Sequence, residues 1–85
     1  MLNQNKKITI GITAYKESDY LEMAINSVLN QTSSNWNGTL VLDGGSDQKT
    51  KKIFDDFEHP KFQKYEFLEN KGPYGTRAKA IELSD

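Results

Sequence analysis

The sequence contains no cysteine, which excludes a disulfide framework, a thiolate metal site and cysteine catalysis. It also lacks any apolar run near the roughly 18 residues that a membrane span requires, and its polar first residues are unlike a signal peptide. No sign of charge dominates, because 11 Lys and Arg face 12 Asp and Glu and the net charge is -1. Such a chain has no basic field for nucleic acid, and we expect a cytoplasmic protein without nucleic-acid partners.

Short β-type runs alternate with helix-type runs along the 85 residues, which suffice for one small domain. The predicted strands are 8–13, 39–42 and 62–68, and the predicted helices begin at Asp19, Asp47 and Thr76. The order β-α-β-α-β-α predicts a Rossmann-like α/β fold in three layers around a parallel sheet. The polar third strand is typical of a sheet edge.

Ligands of such sheets bind beyond the carboxyl ends of the strands, so the segment after the first strand is a candidate site. Tyr15 offers a flat face to a nucleobase, and Thr13 offers a small donor and acceptor. Packing of Tyr15 on its neighbours in a simple turn explains the same residues. The candidate ligand contacts of this segment are Thr13, Ala14, Tyr15 and Glu17.

Asp43 ends the second strand just before two glycines, where a carboxylate can accept from the N–H of a base or from ribose hydroxyls. Ser46 or Asp47 is expected to cap the following helix. Arg77, after the third strand, could reach a phosphate or a base carbonyl as a forked donor, although a single arginine in a first helical turn is more often solvated.

Three stretches together resemble the nucleotide-binding part of a family 2 inverting glycosyltransferase of the GT-A fold. ITIGITAYKESDYLEMAINSVLNQT resembles its opening strand, Tyr-containing turn and a helix ending in Ser-x-Leu-x-Gln-Thr. LVLDGGSDQKT resembles its strand ending in Asp, and ENKGPYGTRAKAIELSD resembles its Asn-Lys-Gly loop and next helix. The chain departs from the family at Lys16, where Asn is usual, and at Gly44, where a second Asp is frequent.

The resemblance implies the strand order 3-2-1 and a nucleotide-sugar site. Tyr15 would stack on the base and Asp43 would take its N–H. The residues expected to bind the nucleotide-sugar are Thr13, Ala14, Tyr15, Glu17, Asp43 and Arg77.

The resemblance also implies transfer of a hexose from a nucleotide-diphosphate sugar, with a UDP-sugar as the first expectation. The acceptor would be a sugar or a lipid-linked sugar, in cell-surface polysaccharide biosynthesis at the inner face of the membrane. A divalent metal (Mg or Mn) would be held by an Asp-x-Asp motif on a fourth strand, with the catalytic base beyond it. We therefore expect residues 1–85 to be the nucleotide-sugar-binding portion, truncated before that motif and inactive alone, with no catalytic or metal residue.

Two other predictions stay open at this point. A non-catalytic nucleotide- or flavin-binding or regulatory α/β module has the same element order, but a receiver needs acids directly after the first strand, where only Glu17 is near. An exposed first strand at the sheet edge, carrying Ile8, Ile10 and Ile12, predicts a homodimer through that edge.

Overall fold

The structure, a computed structural model, describes residues 8–30 and 36–84 and shows the predicted alternation of strands and helices. Its three strands are parallel and lie in the order β1-β2-β3, which is the predicted order 3-2-1 viewed from the other edge. The elements are β1 (Ile8–Ala14), α1 (Ser18–Leu29), β2 (Trp36–Leu42), α2 (Gln48–Asp56), β3 (Phe62–Glu66) and α3 (Gly72–Ser84).

Helices cover both faces of the sheet, which confirms the three-layer prediction. On one face α1 and α2 pack against alternate residues of β1 and β2. On the other face α3 lies close to the sheet, since a methyl group added at Gly11 would be 3.4 Å from Cβ of Ala80 and 3.5 Å from Oγ1 of Thr39. The buried core between the sheet and α1–α2 comprises Ile12, Ala14, Leu21, Ile25, Val28, Trp36, Leu40, Leu42 and Phe54.

β2 begins three residues before its predicted start, at Trp36, although the sequence there has the composition of a turn. The N–H of Gly38 donates to the carbonyl of Lys61 at 2.8 Å, so this segment pairs with the start of β3. Gly38 is required for a steric reason, because a Cβ there would lie 2.6 Å from Cε2 of Phe62. Trp36 is buried against that ring and against His59, whose ring centroid is 5.9 Å away. Tertiary packing thus converts a turn-like sequence into strand.

α3 begins at Gly72, four residues before the predicted start at Thr76. Pro73 is tolerated in the first turn of a helix because its missing N–H would have no intrahelical partner there. The carboxylate that accepts the first N–H groups of α3 belongs to Asp43 and is described with the site below.

The two edges of the sheet differ in charge. On β3, the Nζ atom of Lys51 in α2 lies 2.8 Å from a carboxylate oxygen of Glu66, and Nζ of Lys64 donates to the carbonyl of Phe54 at 2.7 Å. The hydrogen bond that Lys51 donates to Glu66, assisted by the one it donates to Asp55, raises the pKa of Lys51 above its ordinary value. β1 has the uncharged sequence ITIGITA and, among the described residues, pairs with β2 alone.

Within the residues that the structure describes, each helix is too short or too polar to cross a membrane.

Candidate nucleotide site

The three loops at the carboxyl ends of the strands surround one cavity of about 370 Å³. We call them the first loop (15–17), the second loop (43–47) and the third loop (67–71). Because all three strands run in parallel, these loops meet at the same edge of the sheet, as the sequence predicts. The residues that line the cavity are Thr13, Ala14, Tyr15, Glu17, Asp43, Asn70, Gly72, Pro73 and Thr76.

Two carboxylates line this cavity: Glu17 is exposed, whereas Asp43 is only 4% exposed. The Oδ1 atom of Asp43 accepts from the N–H of Gly44 at 2.9 Å and of Lys71 at 2.7 Å, and its Oδ2 atom accepts from the N–H of Gly72 at 3.0 Å. Three backbone donors compensate for the burial of the negative charge. Two of those donors open α3, where the helix dipole also favours an anion. Asp43 therefore caps a helix that is remote in sequence.

The second and third loops approach each other at Gly44. A Cβ added at Gly44 would lie 2.6 Å from the carbonyl oxygen and 2.7 Å from Cα of Glu69, so only glycine fits without moving the third loop. The side-chain amide of Asn70 donates to the carbonyl of Gly44 at 3.3 Å and closes the same contact. The glycine that stands here in place of the family's frequent second Asp thus has a steric role.

A hydrogen bond joins the first and second loops. The N–H of Lys16 donates to Oγ of Ser46 at 2.9 Å. Lys16 is the one non-glycine residue with positive φ in the described part of the chain, at 51°. Its Nζ atom lies 5.3 Å from the centroid of the Tyr15 ring, and that ring is 37% exposed. The second loop is therefore hydrogen-bonded both to the first loop and to the third loop.

Five of the six predicted ligand contacts line the cavity together, and Arg77 does not. Arg77 is exposed and lines a neighbouring cavity of about 200 Å³ on the α3 face of β1, which shares Thr13 with the first. It is the turn of α3 that directs Arg77 to that side. Arg77 therefore lies beside the main cavity.

Four cavity residues were missed by the residue-by-residue prediction: Asn70, Gly72, Pro73 and Thr76. The Asn-Lys-Gly sequence of the third loop was the available signal. Thr76 is 3% exposed and its hydroxyl donates to the carbonyls of Gly72 and Pro73, so it serves the first turn of α3.

A metal ion does not fit the residues in hand. Among residues 8–30 and 36–84 no group of three His, Asp or Glu side chains lies close enough together to hold one. The carboxylate of Asp43 is already engaged by three N–H groups, which leaves little of it for a cation.

The fold and this cavity define a Rossmann-like α/β domain with a ligand site at the carboxyl edge of its sheet. The family model described as Glycosyl transferase family 2 matches residues 9–85, and the chain belongs to this family. Its three parallel strands and flanking helices are those of the amino-terminal part of the GT-A fold. Glycosyl transfer is the activity of the family. No individual curated protein matches the chain with significant similarity.

Proposed function

We propose that the cavity binds the nucleotide of a nucleotide-diphosphate sugar, for transfer of its hexose to a sugar or lipid-linked acceptor. The observation that carries the proposal is the pairing of a buried carboxylate, Asp43, with a half-exposed aromatic ring, Tyr15, in one cavity. The ring offers stacking to any base, which is worth about 1–3 kcal/mol per base. The carboxylate offers discrimination between bases.

The hydrogen bonds of Asp43 favour uracil as the base. A carboxylate has about four acceptor positions, and three are taken by backbone N–H groups. Among residues 8–30 and 36–84, Oδ2 accepts from Gly72 alone, so the remaining position is on that oxygen. Uracil presents one ring N–H between two carbonyls and needs one acceptor. Guanine presents two adjacent donors and would require a free position on each oxygen. A UDP-sugar is therefore the donor that we propose.

Titration of the chain with UDP, CDP, GDP and FMN, followed by amide NMR shifts, tests this proposal. UDP should shift the amides of Tyr15, Asp43 and Gly72. CDP is the matched control, since cytosine lacks the N–H at ring position 3 and turns an acceptor toward Asp43, so its affinity should be at least tenfold lower. Tyr15→Ala should weaken UDP binding about tenfold through lost stacking, and Tyr15→Phe should keep it.

Two results would reject the proposal. Equal binding of UDP and CDP would rule out recognition of the ring N–H of uracil by Asp43. FMN binding without shifts at Tyr15 and Asp43 would favour the flavin-binding or regulatory module instead.

The proposed context of this activity is cell-surface polysaccharide assembly at the cytoplasmic face of the membrane. Members of the family commonly use a divalent metal, and we propose Mg or Mn in the complete reaction. Such a metal would supply electrostatic stabilisation of the charge that develops on the leaving group. We propose that the 85-residue chain supplies nucleotide binding and does not turn over the donor by itself.

A further inference from the structure

We infer that Ser46 is a positioning residue for nucleotide binding: its hydroxyl holds the Lys16 amide and so fixes the Tyr15 ring at the cavity wall. The inference rests on the proposed function, because it concerns the ring on which the base would stack. Ser46 itself is not among the residues that line the cavity, so it can affect a ligand there only through others.

The geometry of the first loop requires an external partner at this point. Lys16 has a φ of 51°, in the left-handed region that side-chain-bearing residues rarely adopt. No β-strand or helix bond holds it, since β1 ends at Ala14 and α1 begins at Ser18. The hydrogen bond from its N–H to Oγ of Ser46, at 2.9 Å, is the contact that opposes relaxation of the backbone. Tyr15 is bonded directly to this strained residue and turns with it.

The Ser46 hydroxyl is itself oriented by a second contact. Its Oγ atom lies 3.4 Å from Oδ1 of Asp47, to which the hydroxyl donates, leaving its lone pairs to accept from Lys16. Asp47 occupies the N-cap position of α2, so the two hydrogen bonds that lead from Lys16 through Ser46 end at the start of a helix.

This arrangement differs from a helix cap. Ser46 or Asp47 is expected to cap α2, and Asp47 does occupy the N-cap position, but without a side-chain cap hydrogen bond. The hydroxyl of Ser46 points across to the first loop instead. The link therefore joins two loops rather than stabilising one helix end.

The test compares Ser46→Ala with Ser46→Thr in the full 85-residue chain, with UDP as the probe. Ser46→Ala should weaken UDP binding about fivefold, the equivalent of the roughly 1 kcal/mol typical of one net hydrogen bond. Ser46→Thr keeps the hydroxyl and should bind within about twofold of the unsubstituted chain. Amide exchange at Lys16 should accelerate in Ser46→Ala and be restored in Ser46→Thr.

A double-mutant cycle with Lys16→Asn identifies the route of the effect. Asparagine tolerates the left-handed conformation far better than lysine, so on that background Ser46→Ala should cost UDP affinity less than twofold. A purely structural role of Ser46 would give the same loss on both backgrounds.

The outcomes separate the two proposals. If the unsubstituted chain does not bind UDP, the proposed function fails and the inference falls with it. If UDP binds and Ser46→Ala binds equally well despite faster exchange at Lys16, the positioning role alone is wrong. Slow exchange at Lys16 in Ser46→Ala would also overturn it, because the amide would then have another partner.

Discussion

At the scale of single residues, two adjacent glycines in the second loop have different physical roles. Gly45 has a φ of +79° with nothing within 4 Å of an added Cβ, whereas Gly44 faces the backbone of Glu69. Gly45 is needed for its left-handed backbone conformation, and Gly44 is needed because there is no space for a side chain. The sequence Asp-Gly-Gly does not distinguish them, because the difference arises from a loop that lies far along the chain.

Gly44→Ala should therefore destabilise the protein more than Gly45→Ala. The first variant must displace the backbone of the third loop, and we expect a loss of about 3 kcal/mol in the free energy of unfolding. The second only forces alanine into the left-handed region, at about 1 kcal/mol. Urea unfolding of both variants measures the difference, and equal losses would contradict the steric role of Gly44.

At the scale of secondary structure, the start of α3 depends on a residue outside the helix. Asp43 accepts from the N–H groups of Lys71 and Gly72, which would otherwise have no partner. For this reason α3 begins four residues before its predicted start, and its first turn contains two glycines and a proline. Sequence patterns identify capping residues that adjoin the helix in the chain. Asp43 lies far from α3 in the sequence, so these patterns do not identify it as the cap.

Asp43→Asn should loosen the first turn of α3. A carboxamide has one oxygen, so its NH2 group would face a backbone N–H, and the net charge opposite the helix dipole would be lost. We expect a loss of about 2 kcal/mol and faster amide exchange at Lys71 and Gly72. Asp47→Asn is the matched control, since Asp47 is exposed and asparagine is as favourable as aspartate at the N-cap position that it occupies. Its stability should change by less than about 0.5 kcal/mol, and a comparable loss in both variants would refute the remote cap.

The element order could be predicted because it depends on local periodicity. The apolar spacing of Leu21, Ile25 and Val28 identifies the buried face of α1, and all three are buried. The boundaries that differ most, at the starts of β2 and α3, are those set by tertiary contacts. The predicted third strand, 62–68, is also too long, because β3 ends at Glu66. Of the site, the lining by Tyr15 and Asp43 could be predicted from the rule that ligands bind at the carboxyl edge. The engagement of Asp43 by three backbone donors could not, because two of them belong to a distant loop.

At the scale of the whole molecule, the two edges of the sheet present different surfaces to another chain. β3 carries Lys64 and Glu66, and charged side chains discourage pairing of exposed strand edges. β1 has no charged residue along its seven positions. The dimer prediction expects Ile10 and Ile12 to be exposed, but Ile12 is buried and Ile10 is partly buried against the core. The exposed residues of this strand are Thr9 and Gly11. The burial of Ile8 lies outside what the structure describes.

We propose that the isolated chain self-associates by pairing β1 with β1 of a second copy. Thr9→Lys places a charge at this edge and should shift the mass measured by sedimentation velocity at high concentration toward the monomer value of 9.7 kDa. Gln63→Lys puts the same charge on the exposed face of β3 and should leave association unchanged. A single monomeric species at all concentrations would overturn the proposal.

The remote cap of α3 also has a consequence for the order of folding. The bond between Asp43 and Lys71 closes 28 residues of chain, and it cannot form before β2 and β3 have come together. α1 can form from local contacts, but the first turn of α3 must wait for the sheet. The cavity is therefore completed late in folding, after the three strands of the sheet have paired.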